Sequence, residues 1–198
     1  MWQFICQVVE NARNAIDYVI LPLIAIYEKE RQSLYMFHIV MMLKEEKEEI
    51  LPLLFDLLNT NMYEIAPPEN TYEQDFQIWK NKIYPAIEHK ARQIILIKKN
   101  DRIVGFFQYY INQTTFVMEE IQFNKDYWGS GIFKELYQYL AKIIPEDISL
   151  VEAYSNKNNY RSQKILNHLG LENVGESHDK EYYHFRGNCQ EMLARYRL

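Results

Sequence analysis

The chain has 198 residues, 48% apolar and 25% charged, a balance that suits one globular domain with a short extension and excludes disorder throughout. Its formal charge is −5, with 22 basic residues dispersed among 27 acidic ones and no run of Lys or Arg, so nucleic acid is not an expected partner. All six glycines lie at Gly105 or beyond, whereas Pro22, Pro52, Pro67, Pro68 and Pro85 precede them, which assigns the tight turns to the second half.

From residue 2 to about 30, Ile5, Val8, Ala12, Ile16, Val19 and Leu23 recur at helical spacing. A helical extension over residues 1–33 is predicted, as a stripe packed on the main body, a homodimer arm or a lid. The first residues lack a basic segment, and the apolar run from Tyr18 to Tyr27 is broken by Pro22, so neither a signal peptide nor a membrane span is expected. With Cys6 and Cys189 far apart and no CxxC motif, a reducing cytoplasm is the expected compartment.

Residues 35–43 read as a strand, followed by an acid-capped helix from 44 to about 58. After Pro67 and Pro68, Thr71-x-x-Gln74 has the form of a capping box, and Tyr72, Phe76, Trp79, Ile83 and Ile87 then continue at helical period to about 89. At Ile94 the period becomes two, and strands are predicted at 94–98, 103–111 and 115–123, forming an antiparallel meander. Gly129-Ser130-Gly131 opens a helix with Phe133, Leu136, Tyr137, Leu140 and Ile144 on one face, and Pro145 ends it. A strand at 148–154, a helix from Arg161 to Leu169 stopped by Gly170, and strands at 171–174 and 181–186 complete the pattern. The predicted fold is a mixed α/β sheet, mostly antiparallel and flanked by helices, over residues 34–190, with a tail at 191–198.

A helix start leaves several amides without helical partners and carries partial positive charge, so it binds phosphate oxygens. Glycine at 129 and 131 permits a sharp turn and close approach to those amides. A diphosphate is the natural guest, and a bare strand-to-helix turn is the alternative. No Gly-Lys-Ser or Gly-Lys-Thr occurs, and Lys134 stands where a dinucleotide fingerprint has its third glycine, so ATP and NAD both lose ground.

This stretch, with Asn159-x-x-Ser162-x-x-Ile165-Leu166-x-x-Leu169-Gly170-Leu171, resembles the GCN5-related N-acetyltransferase (GNAT) family over about residues 35–187. The family hallmark Gln/Arg-x-x-Gly-x-Gly/Ala falls on Trp128-Gly129-Ser130-Gly131-Ile132-Phe133, where only the central glycine matches strictly. Backbone amides do the binding, so Trp128 and Phe133 leave the anion site intact, although Phe133 narrows its approach. The resemblance implies that acetyl-CoA, as cosubstrate, enters an opening between the strands at 115–123 and 148–154. Backbone near Ile121 and Phe123 would then pair with the pantetheine amides. Trp128, Gly129, Ser130, Gly131, Ile132 and Phe133 would hold the pyrophosphate, and Asn159, with Ser162, would contact the arm. Lys125, Lys134, Lys157 and Arg161 are candidates for the 3′-phosphate.

Transfer to an amine needs a base. Glu119 and Glu120 fall at the cofactor groove, and strand alternation predicts that they face opposite sides, with Glu119 preferred unless a bulge exchanges them. The resemblance favours a carboxylate there. It also implies a tyrosine acid where this chain has Leu166, with Ser162, Tyr160 or water as substitutes. None of the five histidines forms a metal-ligand pattern, so no metal is expected. Tyr63, Tyr72, Phe76, Trp79, Tyr84, Tyr182 and Tyr183 form either an aromatic wall for an amine acceptor or core. The expected function is acetyl-CoA-dependent N-acetylation, the alternative being a non-catalytic acyl-CoA-sensing or protein-binding module on the same fold.

Overall fold

In the computed structural model the described residues are 37–89, 91–178 and 180–197. The predicted extension over residues 1–33, and Cys6 with it, lies outside them. Among the described residues, no helix is long and apolar enough to cross a membrane.

The four consecutive apolar residues Ile94 to Ile97 are all buried, because the strand that carries them is covered on both faces. Ile95 and Ile97 belong to one core, Ile94 and Leu96 to another. That strand, β2 (Gln93–Lys99), lies between β1 (His38–Met41) and β3 (Arg102–Asn112), and β4 (Thr115–Phe123) follows β3. Together with β5 (Leu150–Asn156), β6 (Glu172–Glu176) and β7 (Tyr182–Asn188), they form one seven-stranded sheet in the order β1-β2-β3-β4-β5-β7-β6. Every neighbouring pair is antiparallel except β4 with β5. The hairpin turns rest on Asn100, Asp101 and Gln113 at positive φ, a conformation that Asn and Asp tolerate better than most residues.

On one face lie α1 (Lys47–Met62) and α2 (Tyr72–Glu88). The capping box of α2 forms as predicted, with the Thr71 side chain accepting from Gln74 N–H and Gln74 reaching back to Thr71 N–H. Phe55, Tyr72, Phe76 and Trp79 pack together between these helices, with centroids of the last three 5.2 to 5.6 Å from the Phe55 ring. On the opposite face are α3 (Ile132–Ile143) and α4 (Tyr160–His168), which bury Leu136, Leu140 and Leu166 against Phe107, Phe116 and Val151. The residues predicted as a tail contain most of a further helix, α5 (Cys189–Ala194), which buries Met192 and Leu193 in that same core. A domain edge at 190 thus passes through a packed helix.

Candidate active site

The parallel neighbours β4 and β5 stay together only from Thr115–Leu150 to Met118–Ala153. Beyond that apex, Glu119 to Phe123 and Tyr154 to Asn156 are not paired with each other, while β5 stays paired with β7 along its whole length on the other side. The resulting fork holds a cavity of about 310 Å³. Glu119, Glu120, Ile121, Phe123, Trp128, Phe133, Asn159 and Ser162, from four separate stretches, all line it. A larger groove of about 760 Å³ lies elsewhere, between α1 and the β2–β3 turn, and mixes Glu46, Glu49 and Asp56 with Lys98 and Arg102.

The open arm of the fork is shaped by a bulge. Gln108 pairs with Glu120 and Tyr109 with Met118, which leaves Glu119 as the extra residue. Met118 packs with the α3 side, and the bulge turns Glu119 and Glu120 together toward the α1 side, so the predicted alternation to opposite faces does not hold. Their environments differ. Arg92 grips Glu119 through Nε and Nη2, and Gln108 Nε2 donates to Glu119 Oε2 at 2.8 Å. Among the described residues no cation forms an ion pair with Glu120; Gln122 Nε2 donates to its Oε1 at 2.6 Å, and Asn61 Nδ2 holds Gln122 Oε1 at 2.8 Å. Burial pushes the Glu120 carboxyl up to about 7, opposed by the Gln122 hydrogen bond and reinforced by the neighbouring Glu119 charge.

Asn124 N–H donates to the Val104 carbonyl at 2.8 Å, so strand alternation directs the backbone groups of Ile121 and Phe123 away from β3 and toward the fork. The Phe123 carbonyl is already engaged by Asn61 Nδ2 at 2.9 Å and by Trp128 Nε1 at 3.4 Å. At the other end of the strand, Gly129 and Gly131 have φ of 79° and 90°, and a Cβ on either would meet nothing within 4 Å. Backbone conformation, not crowding, therefore requires glycine there. The first helical hydrogen bond runs from Glu135 N–H to the Gly131 carbonyl, so the amides from Gly131 to Lys134 precede the helical ladder. Ser130 Oγ donates to the Tyr127 carbonyl at 2.6 Å and closes the turn, while Ile132 is buried as the first helical residue. This geometry fits a diphosphate.

Phe133 stacks on Tyr137 with centroids 4.5 Å apart and lines the cavity beside the turn. Arg161 lies over the exposed Trp128 ring, 3.4 Å from its centroid, whereas Lys157 is paired with Glu176 at 2.7 Å. Asn159 caps α4, its Oδ1 accepting from Ser162 N–H at 3.0 Å. Leu166 lines the cavity, as do Tyr137, Tyr154 and Tyr182; Tyr160 is exposed and is absent from the lining. Of the predicted aromatic wall only Tyr182 reaches the cavity, Tyr72, Phe76 and Trp79 being packed between helices.

Arg92, Gln108, Gln122 and Asn61 escaped the sequence reading. For Gln108 a signal existed, since it is a polar residue at a buried position of an otherwise apolar strand. Nothing local marks Arg92 or Asn61. Among the described residues, no group of three or more His, Cys, Asp or Glu side chains is placed to hold a metal.

The profile of the acetyltransferase (GNAT) family matches residues 51–171. No curated protein sequence gives a significant match. Among solved structures, the chain is similar to the paia N-acetyltransferase of Thermoplasma acidophilum in complex with coenzyme A, at 13% identity and a TM-score of 0.64, covering 77% of this chain and 99% of that one. It is also similar to the aminoglycoside acetyltransferase AAC(6')-Ib in complex with coenzyme A and kanamycin, at 15% identity, TM-score 0.57, 79% and 96% coverage. Mutant forms of the spermidine/spermine N-acetyltransferase SpeG of Vibrio cholerae align at 14% identity, TM-score 0.53, 80% and 97% coverage. These likenesses establish the fold, and the profile match over most of the chain establishes the family: the protein belongs to the GNAT acetyltransferases and is an acyltransferase.

Proposed function

We propose that the protein is an acetyl-CoA-dependent N-acetyltransferase that moves the acetyl group directly to an amine acceptor in a ternary complex. One observation carries this reading: the cavity in the open strand fork holds a carboxyl raised to about 7 and reaches Trp128 and Phe133, the residues on either side of the glycine turn, while Gly129 to Ile132 themselves lie outside its lining. In this reading the amides from Gly131 to Lys134 take the pyrophosphate of the cosubstrate, with Trp128, Gly129 and Ser130 shaping the turn and Ile132 and Phe133 anchoring the helix start. Ile121 and the Phe123 N–H pair with the pantetheine amides along the fork. Asn159 donates through Nδ2, since its Oδ1 is held by Ser162 N–H.

Attack on a thioester needs a neutral amine nitrogen. Glu120 is the base that takes its proton, because a carboxyl near neutrality accepts a proton more readily than an ordinary carboxylate and still ionises at physiological pH. Glu119 is excluded from that role by Arg92 and Gln108, which occupy both of its oxygens. It acts instead as a fixed charge beside Glu120. The acceptor reaches Glu120 from the α1 side of the sheet. Kanamycin and spermidine/spermine, named with two of the structural neighbours, are both amines, and they support an amine as the acceptor class here.

Calorimetric titration with CoA and acetyl-CoA, then thiol release across a panel of amines, tests the reading. Binding of both ligands and turnover with at least one amine are expected. E120Q lowers kcat by about 100-fold or more while CoA affinity is retained. Failure of the protein to bind either thioester or free CoA would overturn the proposal, and parental turnover in E120Q would remove the base.

A further inference from the structure

Leu166 supplies no hydroxyl where the family often carries tyrosine, but of the three phenols that reach the same cavity, Tyr137, Tyr154 and Tyr182, the first stands at its apex. Tyr137, on the second turn of α3, is 2% exposed and lines the cavity with Met118, Ala153 and Leu166. Its ring is fixed by two neighbours, Phe133 at 4.5 Å and Tyr196 at 5.1 Å between centroids. Among the described residues its hydroxyl has one partner, the thioether sulfur of Met118, to which it donates at 3.4 Å. A thioether is a weak acceptor, whereas buried hydroxyls ordinarily have a strong one. The O–H is thus a buried donor without an adequate partner. Met118 and Ala153 form the last rung before β4 and β5 diverge, which sets this donor at the apex of the fork. Burial also holds the phenol well above its ordinary range, so it stays protonated.

Building on the acyl-transfer reading above, we propose that the Tyr137 hydroxyl donates a hydrogen bond to the sulfur of the departing CoA thiolate. The bond from amine nitrogen to acetyl carbon forms, the carbon–sulfur bond breaks, and its electron pair goes to sulfur. The proton lost by the amine goes to Glu120 and from there to water. Tyr137 keeps its own proton and stabilises the thiolate by hydrogen bonding, and the thiolate is protonated from water after it leaves. A thiolate is a far stronger acceptor than the Met118 thioether, so the hydroxyl exchanges one sulfur for another as the reaction proceeds. Its contribution is specific to the charge that develops on the leaving group.

Y137F preserves the ring and its stacking and removes only the O–H. Its kcat is expected to fall about 10- to 100-fold, the worth of one hydrogen bond to a charged acceptor, with CoA affinity and melting temperature unchanged. L166Y in the Y137F background restores part of that loss by returning a phenol from α4. A readout independent of turnover is the ultraviolet thiolate absorbance of bound CoA followed against pH. The bound thiol is expected to ionise about one to two pH units higher in Y137F than in the parent. Parental kcat in Y137F, an equal fall in CoA affinity, or identical thiol titration in both proteins overturns the proposal. If the parent itself neither binds CoA nor turns over any amine, it is the acyl-transfer reading that fails.

Discussion

Glu120 is raised to about 7 mainly by burial, so the folded protein binds its proton more tightly than the unfolded chain does. The stabilising contribution is therefore complete below the ordinary carboxylate range and is lost as pH rises from there through about 7. With Glu120 as the proposed base, activity runs the other way, because a base must be ionised. The low-pH limb of kcat/KM is expected to rise through about 7 and to be absent in the residual activity of E120Q. In urea unfolding, E120Q removes the pH-dependent loss, so at pH 8 it is more stable than the parent by about 2 kcal/mol and at pH 4 the difference closes. Parallel stability curves for the two proteins would show that Glu120 is not the group concerned. In the proposed role, Glu120 would weaken the fold at the pH where it works, an ordinary exchange of stability for activity.

At the scale of elements, the open arm of the fork depends on how closely β3 and β4 approach. Gly105 pairs with Phe123, and a Cβ there would lie 2.5 Å from Phe123 Cδ1 and 2.8 Å from the Gln122 carbonyl oxygen. The side chain can swing aside, but the backbone carbonyl cannot without shifting the strand. G105A is expected to cost about 1 to 3 kcal/mol in guanidinium unfolding and to weaken CoA binding, since Phe123 belongs to the arm of the fork. Unchanged stability would mean that β4 yields freely at this point. Glycine is thus needed at 105 for space and at 129 and 131 for conformation, two different physical reasons within one site.

For the whole of the described domain, Phe37 to Arg197, both faces of the sheet are covered, and each cover has its own core. The cover on the α3 side includes α5, where Leu193 is 0% and Met192 1% exposed. L193A opens a cavity in the core that also holds Val151 and Leu171, beneath the strand that forms the other arm of the fork. A loss of about 2 to 5 kcal/mol is expected in denaturant unfolding. A loss below about 0.5 kcal/mol, the range of surface substitutions, would mark the segment as an appendage after all.

The sequence by itself determined the parts that depend on local chemistry. Period-two runs mark the meander, Thr71 and Gln74 start α2, and Gly129 and Gly131 make the turn that opens α3. The two signatures around Gly131 and Asn159 carry the family resemblance. Tertiary structure alone decided which carboxylate is ion-paired. The bulge at Glu119 arises from the register of β4 against β3, and the clamp on Glu119 comes from Arg92, 27 residues away. Tyr137 reads in sequence as one more apolar helix position, and only the meeting of α3 with Met118 gives its hydroxyl a sulfur to face. Periodicity and capping are properties of neighbours in the chain, whereas register, ion pairing and burial are properties of residues that folding brings together.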